Sequence, residues 1–350
     1  VILLSMFIEF EMERFQSLYE NEVDYNLSDS GLHPLAIKDL LNKEEINHFL
    51  NMELGYGYTQ GDPVLLNQVA QWYPGQSEKN ILITNGSAEA NFILAWSLIQ
   101  PGDEIVMVLP NYMQVPGLAK IFGARVKYIY LQEELDWHLN MDELQSLLTN
   151  KTKLISICNP NNPTGAVMSA EELKQLATLA RKYDAYIHSD EVYRGSELNG
   201  RETNSCIEFY EKSIITCGLS KSFAHPGLRM GWLVADESVI NDLWSRKDYS
   251  SICASVLSQY IAIKMMQPET RKKIHARATS MLSTNVELFQ NWLNSHPDLF
   301  SFVPPKAGGM AFVGYKMNIN STKFAHLLRT EQSVLIVPGD CYGMDGYLRF

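Results

Sequence analysis

The sequence predicts an α/β fold: a large domain with a seven-stranded, mainly parallel sheet covered by helices, and a smaller α+β domain. Three observations predict it. Seven short apolar runs rich in β-branched residues recur between positions 80 and 235. Segments with helical spacing separate most of these runs, which indicates β-α-β units. After position 268 the alternation stops, and a long amphipathic segment precedes the remaining short strands.

The strands predicted for the large sheet lie at 80–85, 104–109, 125–131, 153–159, 185–190, 213–219 and 229–235. Near-continuous apolar runs of this kind are typical of strands that are buried on both faces. Helices are predicted over 87–99, 112–122 and 169–183. The last of these opens with Ser169 and Glu172, which have the spacing of a capping box.

The domain boundaries follow from the change of pattern. We expect a large domain over 44–268. The segment 268–296 has the pattern of one amphipathic helix, and two predicted strand regions with turns follow it. Residues 1–43 and 269–350 are therefore expected to form the smaller domain. A chain of 350 residues also exceeds the size at which one hydrophobic core stops growing.

Charge and composition disfavour several classes of function. The formal net charge of −11 argues against nucleic acid or an anionic membrane as a partner. No apolar stretch is long enough to span a bilayer. The five cysteines are scattered without a C-x-x-C pair, which fits a reducing compartment. The N-terminal apolar run meets Glu9 and lacks a cationic region, so we expect a cytoplasmic protein whose natural start is Met6.

Polar residues follow five of the predicted strands. They are Asn85 to Ala88, Pro110 to Tyr112, Asn159 to Gly165, Asp190 to Tyr193, and Ser220 with Lys221. Ligands of open α/β sheets bind outside the carboxyl ends of the strands. The five strand ends therefore predict one functional site.

The stretch "TCGLSKSFAHPGLRMGW" holds two cations, Lys221 and Arg229, and no acid. On composition alone it indicates an exposed basic loop, because Lys and Arg are mostly exposed.

Three other motifs do not fit the known sites that they partly match. "GYGYTQG" (55–61) departs from the spacing of a dinucleotide fingerprint, and "GLSKS" (218–222) lacks the second glycine of a hydrolase elbow. "HSDE" (188–191) alternates between two strand faces, which disfavours a metal site.

From Tyr56 to Arg349 the chain resembles the class I/II aminotransferases of the fold-type I pyridoxal-phosphate enzymes. The motifs that match occur in the family's order: "YGYTQGDPVL", "TNGSAEA", "PNY", "NPNNPTG", "SDEVY", "LSKSFAHPGLRMGW" and "LRF". The resemblance implies pyridoxal 5′-phosphate as cofactor and transfer of an amino group from an L-amino acid to a 2-oxo acid. Because the chain also looks like the capreomycidine-synthase branch, the alternative is a C–S lyase or an amino-acid cyclase.

The resemblance implies roles for the residues that surround the cofactor ring. Lys221 is expected to hold the cofactor as a Schiff base and to move the proton, with its pKa lowered by apolar walls and by cations such as Arg229. Asp190 is expected to pair with the ring nitrogen. Tyr193 and Asn162 would share the ring's 3′-oxygen. A non-catalytic relative is a third possibility, which the joint presence of Lys221, Asp190 and Arg229 disfavours.

The phosphate is expected at the start of the first crossover helix. Ser87 and Ala88 would offer backbone N–H groups there, Arg229 a fork of donors, and Ser220 a hydroxyl. Tyr112 is expected to stack on the face of the ring. All five residues match positions of the family's motifs.

Two further residues are implied at the edges of the site. Tyr56 matches a tyrosine that reaches the phosphate of the neighbouring subunit, which implies a homodimer with shared sites. Arg349 matches the arginine that grips the substrate α-carboxylate, and Asn162 is expected to assist it. The chain ends one residue after Arg349, so we expect the natural protein to continue.

The sequence departs from the family at positions that leave the substrate open. Gly218, Leu66 and Val115 stand where relatives often have Ser or Thr, Arg, and an aromatic residue. Side-chain selectivity is expected in the Gly309–Met310 region and the N-terminal segment. No residue pattern in either region identifies a substrate.

Overall fold

A computed structural model describes residues 7–350. The helices are α1 (Glu11–Tyr19), α2 (Ile37–Leu40), α3 (Lys43–Leu50), α4 (Pro63–Ala70), α5 (Ser87–Leu98), α6 (Gln114–Ile121), α7 (Met141–Leu147), α8 (Ala170–Lys182), α9 (Glu237–Lys247), α10 (Val256–Met266), α11 (Pro268–Asn294) and α12 (Ser321–Gln332). The strands are β1 (Tyr25–Asn26), β2 (Ile81–Thr84), β3 (Glu104–Leu109), β4 (Arg125–Tyr130), β5 (Thr152–Cys158), β6 (Tyr186–Asp190), β7 (Ser213–Gly218), β8 (Gly231–Val234), β9 (Phe300–Phe302), β10 (Phe312–Tyr315), β11 (Val334–Leu335), β12 (Val337–Pro338) and β13 (Tyr347–Arg349). The predicted start at Met6 lies outside the described residues.

The large sheet has seven strands in the order β2-β8-β7-β6-β5-β3-β4. Only β8 runs antiparallel to its neighbours within this sheet. Each of its strands overlaps one of the seven apolar runs. The predicted fold class is therefore confirmed.

Burial on both faces explains why a strand such as β3 is apolar at nearly every position. All six residues of β3 are buried. Val106 and Val108 belong to one hydrophobic cluster with α4 and α8, whereas Ile105 belongs to a second cluster with α5, α6 and α9. Successive side chains of a strand point to opposite faces, so a sheet with helices on both sides needs apolar residues at every position.

The helices of the large sheet differ from the expectation only at their ends. α8 opens with the predicted capping box, in which Ser169 Oγ accepts from the Glu172 backbone N–H at 3.2 Å. α5 begins at Ser87, but its N-cap residue is Gly86. α6 begins at Gln114 rather than at 112, because the preceding residues form a turn after β3.

A second sheet lies outside the large one, with four strands in the order β12-β13-β10-β9. Near it, β1 pairs in parallel with β11, joining Tyr25 to Val334 and so the N-terminal segment to the C-terminal one. This pairing agrees with a small domain built from 1–43 and 269–350, but the boundaries at 44 and 268 stay a prediction. Within residues 7–350, none of the helices has the length and apolar content needed to cross a bilayer.

Candidate active site

The structure brings ten of the eleven predicted site residues to one cavity of about 260 Å³. They are Ser87, Ala88, Tyr112, Asn162, Asp190, Tyr193, Ser220, Lys221, Arg229 and Arg349. Most of these follow the carboxyl ends of strands in the large sheet, where the topology rule places a ligand. Arg349 comes from β13 of the second sheet. The cavity therefore lies between the two sheets.

Asp190 is the last residue of β6 and is 6% exposed. Its Oδ1 accepts from the Val192 backbone N–H at 3.2 Å. Burial raises the pKa of Asp190 to about 6, against the opposing effects of the Val192 hydrogen bond, Asn91 and Lys221. A buried carboxylate without an ion-pair partner within 4 Å among residues 7–350 is suited to a cationic ring nitrogen.

Lys221 follows β7 and lines the cavity. Burial lowers the pKa of Lys221, and the charge of Arg349 lowers it further. The sequence led us to expect this effect from cations such as Arg229, and the cation among the main causes here is Arg349. A carboxylate also lies near after all: Asp29 Oδ1 is 3.5 Å from Lys221 Nζ and opposes the lowering of the pKa. Asp29 comes from a segment almost two hundred residues away, which no local window could reveal.

Two glycines shape the end of the cavity at the start of α5. A Cβ on Gly86, whose φ is +83°, would lie 2.6 Å from Arg229 Nη2. A Cβ on Gly231 would lie 2.6 Å from the Ser87 backbone nitrogen. Arg229 itself donates to the Pro226 carbonyl at 3.1 Å and has no acidic partner within 4 Å in the described part of the chain. The free N–H groups of a helix start and an unpaired guanidinium together fit a phosphate.

Arg349 is 2% exposed and forms the opposite end of the cavity. Its Nη1 donates to Asn162 Oδ1 at 3.3 Å, and its Nη2 donates to the Ser28 carbonyl. Its Nε has no hydrogen-bond partner among residues 7–350, and no carboxylate pairs with the guanidinium there. A buried guanidinium with unused donors is suited to a carboxylate ligand.

The N-terminal segment covers the cavity with residues that the sequence did not identify. Met12, Glu13 and Gln16 of α1 and Ser30 line it. Tyr193 donates its hydroxyl hydrogen to Ser30 Oγ at 2.8 Å. These residues carry no motif and come before the region of resemblance, so only their position in the fold reveals them.

Tyr112 connects the two sides of the cavity. Its hydroxyl donates to Glu13 Oε1 at 2.8 Å, and its ring meets the Phe10 ring edge-on with centroids 4.9 Å apart. Burial raises the pKa of Tyr112, and the charge of Glu13 adds to this. The phenol is therefore held neutral with its ring fixed against the cavity wall.

Tyr56 is the one predicted residue that lies elsewhere. It is 87% exposed and borders a separate surface groove with Leu54 and Val256. His225 follows Lys221 by four residues but does not line the cavity; its Nδ1 contacts the Phe223 carbonyl. A single chain therefore holds the Lys221 site without Tyr56.

Comparison with known proteins identifies the family. Residues 21–350 match the family described as aminotransferase class I and II. The chain belongs to this family.

Similar proteins agree with that assignment. An aspartate aminotransferase of Thermotoga maritima is 28% identical over 280 residues, covering 78% of this chain and 71% of that protein. An aromatic-amino-acid aminotransferase of Thermococcus litoralis is 28% identical over 277 residues, covering 77% and 70%. A crystal structure of a PLP-dependent aminotransferase from Streptococcus suis superposes with a TM-score of 0.93 at 32% identity, covering 99% of this chain and 92% of that one. The protein is a pyridoxal-phosphate-dependent aminotransferase, and the lyase and cyclase alternatives are not favoured.

The residues of the cavity fit the cofactor. The cradle that Gly86 and Gly231 keep open would take the phosphate, with Arg229 beside it. Asp190 would face the ring nitrogen from its buried position, and Lys221 would reach the aldehyde.

Proposed function

We propose that this aminotransferase works through Lys221, Asp190, Arg229 and Arg349, each in the role that its surroundings favour. The observation that supports this most is their meeting in one cavity, although their positions span much of the chain. When bound, pyridoxal phosphate supplies an electron sink for a bond at the substrate Cα. The protein's share is to bind, orient and move protons.

Arg349 binds the α-carboxylate of the amino acid. Its two Nη groups donate to Asn162 Oδ1 and to the Ser28 carbonyl, and these contacts fix the guanidinium in place. Its Nε has no partner among residues 7–350 and is free to donate to a ligand. Two hydrogen bonds from a fixed guanidinium to the α-carboxylate orient the substrate Cα. This orientation decides which bond at Cα is aligned for cleavage.

Lys221 Nζ would accept the proton that leaves the substrate Cα and would deliver it to the cofactor carbon, so that the amine ends the transfer in its starting protonation state. Burial favours its neutral form, which is the form that can accept a proton. Asp29, 3.5 Å away, favours the charged form, so the amine stays basic enough to hold that proton.

Asp190 stabilises positive charge on the ring nitrogen. A buried carboxylate without water interacts strongly with a cation placed beside it. The same burial disfavours the ionised carboxylate when the cofactor is absent, which is why the pKa of Asp190 rises to about 6.

The working unit is a cytoplasmic homodimer in which Tyr56 completes the phosphate site of the neighbouring subunit. This accounts for an aromatic side chain that is 87% exposed beside Leu54, which is 75% exposed. Contiguous exposed apolar side chains often mark an interaction surface, and Leu54 and Tyr56 line one groove.

The assignment of Lys221 can be tested on the holoenzyme. Borohydride fixes the lysine–cofactor linkage, and mass spectrometry then locates it. We expect the modified residue to be Lys221, and addition of an amino acid substrate before borohydride should prevent the modification. Modification of another lysine would contradict the assignment.

A further inference from the structure

The substrate side of the cavity contains negative charge that the protein leaves unpaired. Gln16 is a neighbour of both Met12 and Glu13 on α1, since residues three and four apart in a helix lie next to each other. All three line the cavity. α1 therefore places an acidic residue in the lining of the cavity that also contains Arg349.

The contacts of this face locate it near the substrate carboxylate. Met12 Sδ is 3.8 Å from Arg349 Nη1. Gln16 Nε2 donates to the Ser28 carbonyl at 2.8 Å, and Arg349 uses the same carbonyl. A substrate that is bound at Arg349 thus meets α1 directly.

Glu13 has one polar contact, the Tyr112 hydroxyl at 2.8 Å from Oε1. It forms no ion pair within 4 Å with any described residue. The charge of Glu13 acts on Lys221, but no cation is in contact with the carboxylate, so it is able to pair with a cation that a ligand supplies.

The other charges around the cavity already have a partner or a role in the proposed function. The cavity is lined by three cations, Lys221, Arg229 and Arg349, and each already has a role in the proposed function. Asp29 adds a second carboxylate beside Lys221, at 3.5 Å. No other cation lines the cavity in the described part of the chain to receive the distal carboxylate of a dicarboxylic amino acid.

We propose that Glu13 forms a side-chain subsite that selects amino acids with a cationic side chain, an ammonium or guanidinium group, and rejects dicarboxylic donors. The inference rests on the proposed function, because it requires the substrate carboxylate at Arg349. Glu13 acts by binding: one carboxylate oxygen keeps the Tyr112 hydroxyl, and the other accepts from the incoming cation.

The test compares cationic amino acids with neutral ones of similar shape. L-Arginine, L-lysine and L-ornithine are mixed separately with the holoenzyme without oxo acid, and their counterparts are L-citrulline, L-norleucine and L-norvaline. L-Aspartate and L-glutamate complete the panel. The rate of cofactor conversion divided by the apparent Kd gives an efficiency for each. We expect the best cationic donor to exceed its neutral counterpart by about tenfold to a hundredfold, since a hydrogen bond to a charged group contributes that much.

Variants then assign the preference to one side chain. Glu13→Gln should lower the cationic-to-neutral ratio by about tenfold or more. Glu11→Gln is the matched control, because it removes the same charge from the same helix at an exposed position that does not line the cavity. It should leave the ratio unchanged. Cofactor absorbance verifies that both variants are loaded, and the wild-type comparison stands even if Glu13→Gln does not fold.

Each outcome has a distinct meaning. A cationic preference that Glu13→Gln abolishes supports the subsite. Conversion that is fastest with aspartate, glutamate or a neutral amino acid overturns the subsite but leaves the proposed function intact. A cationic preference that survives Glu13→Gln overturns the role of Glu13. No conversion with any amino acid overturns both.

Discussion

The two walls of the active site differ in origin. The cofactor wall consists of residues that follow strands of the large sheet, such as Asp190 after β6 and Lys221 after β7. The substrate wall consists of α1 and residues 28–30, together with Arg349 from β13. The first wall is fixed by a parallel ladder of hydrogen bonds. The second is a helix and an extended segment held by side-chain contacts.

This difference separates chemistry from selectivity. Residues on strand ends hold their positions because the whole sheet supports them, which suits groups that must meet reacting atoms. Side-chain contacts such as Gln16 to Ser28 can change without disturbing the sheet. Changes on the cofactor wall should therefore abolish reaction, whereas changes on the substrate wall should redirect it.

The largest effect is expected at Lys221. Lys221→Ala removes the amine that links the cofactor and moves the proton, so turnover should fall by about ten-thousandfold or more. Steady-state assays with saturating cofactor measure it. Lys174→Ala, an exposed lysine on α8, is the control and should behave as wild type. If Lys221→Ala kept more than about a hundredth of wild-type turnover, the cofactor wall would not carry the chemistry and its distinction from the substrate wall would be wrong.

Asp190→Asn should lower turnover by about a hundredfold, since it removes a preorganised charge from a buried site.

The effect of Asp190→Asn on the free energy of unfolding should have opposite signs with and without cofactor. Without cofactor, the ionised carboxylate costs folding about 3 kcal/mol above pH 6, because its pKa rises from 3.8 to about 6 on folding. Asp190→Asn should then raise the free energy of unfolding at pH 8, and less so at pH 5. With cofactor bound, Asp190→Asn should lower the free energy of unfolding.

Urea unfolding of both forms at the two pH values measures this sign change. The sign follows because the folded state holds the proton of Asp190 more tightly than the unfolded state, so the cost appears only as pH rises from about 4 through 6. Asp298→Asn, at an exposed position, is the control. Destabilisation of the cofactor-free protein at pH 8 would show that Asp190 is structural.

Gly86→Ala should weaken cofactor binding by about tenfold or more, because the new Cβ would lie 2.6 Å from Arg229 Nη2. The positive φ of +83° adds a backbone strain of about 1–2 kcal/mol. Gly75→Ala is a matched control, since Gly75 has a φ of +79° and open space around it. Both variants should lose stability, but only Gly86→Ala should lose cofactor affinity. If Gly86→Ala and Gly75→Ala bound the cofactor with equal affinity, the assignment of the phosphate to the start of α5 would be wrong.

The smallest effect tests whether Tyr56 acts across a dimer. Lys221→Ala and Tyr56→Ala chains are mixed after dissociation, at a cofactor concentration that leaves the Tyr56→Ala homodimer mostly unloaded. Half of the dimers should be mixed, each with one intact site, so activity should recover to about a quarter of wild type. A mixture no more active than its separate components would mean that Tyr56 does not complete a neighbouring site.

The sequence predicted the cofactor wall well because its signals are local. Short apolar runs located the seven strands, and residues such as Asp190 follow directly after them. It could not predict Glu13 or Asp29 beside this wall. Their positions depend on how the N-terminal segment packs across the sheet, as in the pairing of Tyr25 with Val334. That packing leaves no periodic or motif signal in the sequence.

The pKa of Lys221 shows the same limit. Its lowering by burial was predicted, but the residues that act on it, Arg349 and Asp29, were not. Both lie far from Lys221 in the chain and near it in the fold. Charges that only the tertiary structure brings together cannot be recognised from a short stretch of sequence around one residue.

The most direct test of the central claim is the half-reaction of the holoenzyme with an amino acid and no oxo acid. The account predicts conversion of the cofactor to its amine form with release of one equivalent of 2-oxo acid, and reversal when a 2-oxo acid is added. Continuous release of ammonia, or formation of a cyclised product, with the aldehyde form retained would contradict it.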